Sequence, residues 1–75
     1  MYVKVEGEEL REIRQRKGFE RPELARISGI HEITIARLEL GYNNSRLSTV
    51  KKLADALGVP PEDLLETLEQ GKAVA

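Results

Sequence analysis

The 75-residue chain has no cysteine, one histidine and no long apolar run. Without cysteine there is neither a disulfide framework nor a thiolate metal site, and a reducing compartment is the natural home. One histidine is too few for the usual nitrogen-ligated metal centres, so no metal and no cofactor are expected. The longest hydrophobic stretches are too short for a membrane span, and no charged leader precedes an apolar segment, which predicts a cytoplasmic protein with no membrane partner. Cysteine nucleophile, second histidine and glycine-rich phosphate loop are all missing, and a domain this small has too little core to line a closed pocket. The reading is therefore not an enzyme.

What is present is charge, at 33% of residues, with 12 Lys and Arg against 13 Asp and Glu. The balance of -1 hides a segregation: residues 1 to 52 carry 11 bases and 8 acids, residues 53 to 75 one base and 5 acids. A basic face can survive on a protein whose acid is collected at one end. At this size folding hides only about 60% of the unfolded surface, so the core must pack efficiently.

Glycines 7, 18, 29, 41, 58 and 71 punctuate the chain at the ends of stretches with helical spacing, as helix termini require. The parse is a helix over about Glu8 to Lys17, with acids at its start and bases at its end. A second runs over about Pro22 to Ser28, with proline in the first turn. A third covers Glu32 to Leu40. A fourth, Ser48 to Leu57, carries Val50, Leu53, Ala54 and Leu57 at i, i+3, i+4 and i+7. A fifth begins after Pro60 and continues through Leu64, Leu65 and Leu68. The expectation is one all-α domain without a sheet, its body at residues 7–66, an N-terminal arm at 1–6 and a tail at 67–75. Its core is Leu10, Ile13, Leu24, Ala25, Ile30, Ile35, Leu38, Leu47, Val50, Leu53, Ala54, Leu57 and Leu64.

Residues 21 to 41, RPELARISGIHEITIARLELG, carry the most information. Two short helices cross closely only at a small residue, which Ala25 supplies, and their turn needs a residue comfortable at positive φ, which Gly29 supplies. Ile30, Ile35 and Leu38 then fall where the second helix presses on the core. These are helix-turn-helix spacings.

With LA at 24 and 25, SGI at 28 to 30 and ALGV at 56 to 59, the chain resembles the helix-turn-helix domain of phage repressors, Cro and the xenobiotic-response-element regulators. The resemblance covers about residues 7 to 66. It implies a compact five-helix, lambda-repressor-like DNA-binding domain, usually a homodimer on operator DNA, with double-stranded DNA as partner and a protein such as a toxin as a further one. Carried over by position, His31, Glu32, Ile33 and Arg37 would face bases in the major groove. Arg21, Thr34, Tyr42, Asn43, Asn44 and Arg46 would meet phosphates, and Arg14 would pair with Glu39. Leu65 and Leu68, on one face of the fifth helix, exceed what the core needs and are expected to form a dimer contact.

Several positions depart from the family pattern. Glu20 stands where Ser or Thr usually caps the second helix, Pro22 follows Arg21, Glu32 replaces a more usual Arg, Gln or Ser, Leu40 replaces Asn, and the loop proline is missing at Ser45. Plainer readings stand beside the functional ones: His31 as an exposed residue at a helix start, and Glu32 as a first-turn acid favoured by the dipole. Ile33 lies off the stripe of Ile30, Ile35 and Leu38 and suits a thymine methyl. The expected function is a sequence-specific DNA-binding regulator, a homodimeric repressor on a palindromic operator. The competing one is an interaction module of the same fold, such as an antitoxin, adaptor or anti-repressor.

Overall fold

A computed structural model describes residues 1–42 and 44–66. Strand β1 (Tyr2–Val3) is followed by helices α1 (Gly7–Arg16), α2 (Arg21–Ser28) and α3 (Glu32–Leu40), strand β2 (Ser45–Arg46), helix α4 (Leu47–Leu57) and one turn of 3-10 helix, Pro61–Leu64. Each α-helix begins within a residue of its expected start. The first turn of α1 holds Glu8 and Glu9 and its last turn Arg14 and Arg16, so both ends complement the macrodipole. Gly29 ends α2 in the left-handed region at φ 77°, where a β-carbon would be strained. The α4 stripe Val50, Leu53, Ala54 and Leu57 is buried throughout.

Two expectations are corrected. The domain is not sheet-free, because the arm is a strand: β1 pairs antiparallel with β2, Tyr2 opposite Arg46 and Val3 opposite Ser45. Nor is there a fifth α-helix over the described residues. After the 3-10 turn, Leu65 takes extended dihedrals (φ -102°, ψ 153°) and bridges to Val5. The Glu6 N–H donates to the Leu64 carbonyl at 2.8 Å and the Glu66 N–H to the Lys4 carbonyl at 3.1 Å. Pairing with the arm satisfies the same backbone groups that a continuing helix would, so Leu65 stays extended although its sequence is helix-compatible. Leu65 is consequently half-buried against the core instead of lying on a helix face. Leu68, the tail at 67–75 and Asn43 lie outside the described residues.

The core is Val5, Leu10, Ile13, Leu24, Ile35, Leu38, Val50, Leu53, Ala54, Leu57 and Leu64. Val5 enters because the arm folds back onto the body. Ala25 and Ile30 are half-buried and pack on the rim of this core, and Leu47 is also only half-buried. Helix α1 closes on α3 at Gly7, where a β-carbon would press into the backbone carbonyl oxygens of Leu38 and Glu39. Backbone cannot swing aside as a side chain can. Gly7→Ala is expected to cost about 1 to 3 kcal/mol, as overpacking does, seen as a lowered melting temperature; an unshifted melt would mean that the α1–α3 crossing is looser than it stands.

Candidate nucleic-acid interface

Helix α3 is held from behind and open in front. Ile35 and Leu38 are buried, at 0% and 2% exposure, whereas Ile33 is 56% exposed, and Glu32, Thr34 and Arg37 are exposed beside it. Burying one stripe of a nine-residue helix leaves the opposite stripe to solvent. Ile33, Arg37 and Leu40 fall at i, i+4 and i+7 along that outer face. Leu40, at 65% exposure, belongs to the same surface although sequence reading assigned it no role; extending the Ile33 and Arg37 spacing by one turn would have found it.

At the start of α3, His31 is the N-cap: its Nδ1 accepts the Ile33 N–H at 3.3 Å. The ring is thereby tied to the helix terminus, which leaves Nε2 as the nitrogen available to a ligand. Glu32 is the first-turn acid of the same helix, a position the dipole favours. The turn before it is organised by Ser28, whose Oγ accepts the Ile30 N–H at 3.1 Å.

The far end of α3 is locked by charge. Arg14 Nε donates to Glu39 Oε2 at 2.6 Å, its second guanidinium edge reaches Oε1 at 3.1 Å, and its remaining nitrogen donates to the Phe19 carbonyl at 2.9 Å. The two side chains are only 8% and 5% exposed. One arginine thus ties α1, the α1–α2 turn and α3 together, in the bidentate geometry that suits a guanidinium and a carboxylate. Arg21 joins the cluster from the first residue of α2, with Nε 3.8 Å from Glu39 Oε1, and keeps 43% of its side chain exposed. Its charge is therefore shared between a buried carboxylate and the surface. Glu20, the N-cap of α2, offers its backbone N–H to the Glu23 carboxylate at 3.3 Å, which draws a second acid to the same helix start.

The segment after α3 supplies the flank of the surface. Tyr42 is 70% exposed, Asn44 is exposed and Ser45 is buried. Arg46, on β2, does not project alone: its Nε donates to the Tyr2 hydroxyl at 3.2 Å, and its guanidinium carbon lies 5.7 Å from the centre of the Tyr2 ring. Sequence reading gave Tyr2 no part in the site. The faint signal was the alternation Tyr2, Val3, Lys4, Val5, which names a strand but not its partner.

The structure therefore gathers His31, Glu32, Ile33, Thr34 and Arg37 on one element, ties Arg21 to the Arg14–Glu39 pair, and sets Arg46 on the strand entering α4. Leu65 stands apart, beside an open depression lined by Glu6, Glu9, Glu62 and Asp63. Acidity is thus concentrated around the 3-10 turn. Among the described residues no group of three or more His, Cys, Asp or Glu is placed to hold a metal ion, and no described helix is long and apolar enough to cross a membrane.

Several known proteins with the same arrangement are regulators. A family profile described as helix-turn-helix (HTH_3) matches residues 10–64. The HTH-type transcriptional regulator DdrOP3 of Deinococcus deserti is 37% identical over 62 residues, which are 83% of this chain and 48% of that protein. Control protein C.BamHI of Bacillus amyloliquefaciens is 36% identical over 61 residues, 80% of this chain and 75% of that one. Among solved structures, the restriction-modification controller protein C.AhdI from Aeromonas hydrophila superposes with a TM-score of 0.75 at 37% identity, over 79% of this chain and 89% of that one. The chain spans about half the length of DdrOP3 (48%), and a larger share of the two controller proteins.

Proposed function

We propose, from the premise that the chain belongs to the HTH_3 family of DNA-binding helix-turn-helix transcriptional regulators, that it is a sequence-specific repressor that binds a palindromic operator as a homodimer. The observation that carries this reading is the outer face of α3: a 56%-exposed Ile33 among exposed Glu32, Thr34 and Arg37, on a helix whose other face is immobilised by the core. A solvent-facing isoleucine costs a monomer little and is useful against a thymine methyl. Glu32 can accept from cytosine N4, and Arg37 can reach a guanine edge or the flanking phosphate. His31, at the helix start, is the remaining base-facing residue. Thr34, Arg21, Tyr42, the loop residues 43 and 44, and Arg46 are the phosphate contacts.

Two such helices about 34 Å apart would meet successive major-groove faces of one duplex. Leu65, partly exposed at the end of the described chain, together with Leu68, is the surface proposed for the two-fold contact. The controller-type relatives support a compact regulator of this kind.

Selection of bound duplexes from a random library is the test, with a palindromic consensus expected. A carboxylate facing DNA is repelled by every phosphate, so Glu32→Gln should raise non-specific affinity while losing about 1 to 3 kcal/mol of discrimination at one position of each half-site. Ile33→Ala should relax selection for T at the neighbouring step. Consensus sequences identical to the parent's in both variants would remove the base-reading role of α3. Arg21→Ala and Arg46→Ala should each weaken binding to all sequences and flatten the dependence of log affinity on log salt, because each neutralises phosphate.

A second reading, an interaction module such as an antitoxin, adaptor or anti-repressor, is favoured by Leu40, Tyr42 and Ile27, which are 65%, 70% and 51% exposed. Absence of any selected consensus would favour it.

A further inference from the structure

The N-terminal arm makes contacts that a simple tether would not need. The Met1 carbonyl accepts the N–H of Leu47 at 3.0 Å, and Leu47 is the first residue of α4, a helix whose N-cap Arg46 makes no side-chain cap. The arm thus supplies an acceptor for one of the unpaired donors at that helix start. One register step away, Tyr2 lies opposite Arg46. Cross-strand partners project to the same side of a sheet, here the solvent side, and the Tyr2 hydroxyl accepts from the Arg46 Nε at 3.2 Å, with the guanidinium carbon 5.7 Å from the ring centre.

We infer that Tyr2 is a positioning residue for DNA binding: it holds Arg46 in the orientation that grips a phosphate. The inference rests on the reading of Arg46 as a phosphate contact. Its chemistry follows from how the guanidinium is used. Tyr2 occupies Nε, while the two terminal nitrogens, which together carry four N–H donors and form the fork that fits a phosphate, make no hydrogen bond to another described residue. A free arginine would lose rotamer freedom on meeting DNA, whereas one already hydrogen-bonded has lost part of it in the unbound protein, so less binding free energy is spent on ordering. The tyrosine need not touch DNA to do this.

The test is a double-mutant cycle read by fluorescence anisotropy on a mixed-sequence DNA duplex across a salt series, with thermal melts of each variant as a folding control. Tyr2→Ala is expected to weaken binding about three- to tenfold, the range for immobilising one flexible side chain, and Tyr2→Phe, which keeps the ring and loses the hydroxyl, to lie between it and the parent. In an Arg46→Ala background the same Tyr2 substitutions should change nothing further, because the residue they position is gone. Tyr2 is 63% exposed, so the variants should melt close to the parent. If Arg46→Ala weakens binding but Tyr2→Ala and Tyr2→Phe bind like the parent, the positioning role is overturned and the phosphate-contact reading stands. A Tyr2→Ala loss that persists in the Arg46→Ala background overturns it as well. If Arg46→Ala itself binds like the parent, both readings fall together.

Discussion

Glu39→Ala is expected to destabilise the protein by about 3 to 5 kcal/mol, the cost of leaving a buried charge without its partner. The Arg14 side chain is 8% exposed and directs two of its hydrogen bonds to Glu39, so removal of the carboxylate strands a guanidinium where water reaches it poorly. For a domain of 75 residues, total stability is on the order of 4 to 11 kcal/mol, and the loss is a large part of it. Chemical denaturation should show an earlier midpoint with little change in slope. The double variant Arg14→Met, Glu39→Leu is expected to recover much of the loss, since an apolar pair of similar volume often replaces a buried ion pair without penalty. Equal destabilisation in single and double variants would mean that packing at these positions, not uncompensated charge, sets the cost. Arg21 has Glu39 as its neighbour at 3.8 Å, so Glu39→Ala should also free that arginine and alter DNA affinity independently of stability.

Ile35→Ala should cost about 2 to 5 kcal/mol. Ile35 is fully buried on the inner face of α3, and truncating it leaves a cavity between α3 and the core. Ile33, two residues earlier and 56% exposed, is the internal control: Ile33→Ala should stay within about 0.5 kcal/mol of the parent, as surface changes do. A variant at Ile35 that melts within a degree or two of the parent would place that residue outside the core and rotate the assigned face of α3. The pair also separates stability from function, because Ile33→Ala is expected to change sequence preference and Ile35→Ala to change the folded fraction.

The sequence by itself determined α1 to α4 and the turn between α2 and α3, because their causes are local. Apolar residues recur with a period near 3.6, acids and bases flank the ends of α1, and Gly29 alone can take the dihedrals the turn needs. Burial of Val50, Leu53, Ala54 and Leu57 followed from that period without knowledge of what would cover them. The family resemblance, which rested on the same short spacings, pointed to the outer residues of α3.

Only the tertiary structure decided matters that depend on partners distant in the chain. The Tyr2 hydroxyl meets Arg46 across 44 positions of sequence, and nothing in the arm's composition names β2 as its partner. The same pairing settled the end of the described chain. Leu64 and Leu65 suit a helix by propensity, but backbone bonds from Glu6 and to Lys4, together with the bridge from Val5, hold Leu65 extended. Weak local preferences of a few tenths of a kcal/mol per residue are readily overridden when non-local hydrogen bonds and burial act together. Gly7 is the remaining case: as a sequence feature it marks a helix start, and only the close approach of α1 to the Leu38 and Glu39 carbonyls shows that the missing side chain is what allows the two helices to meet.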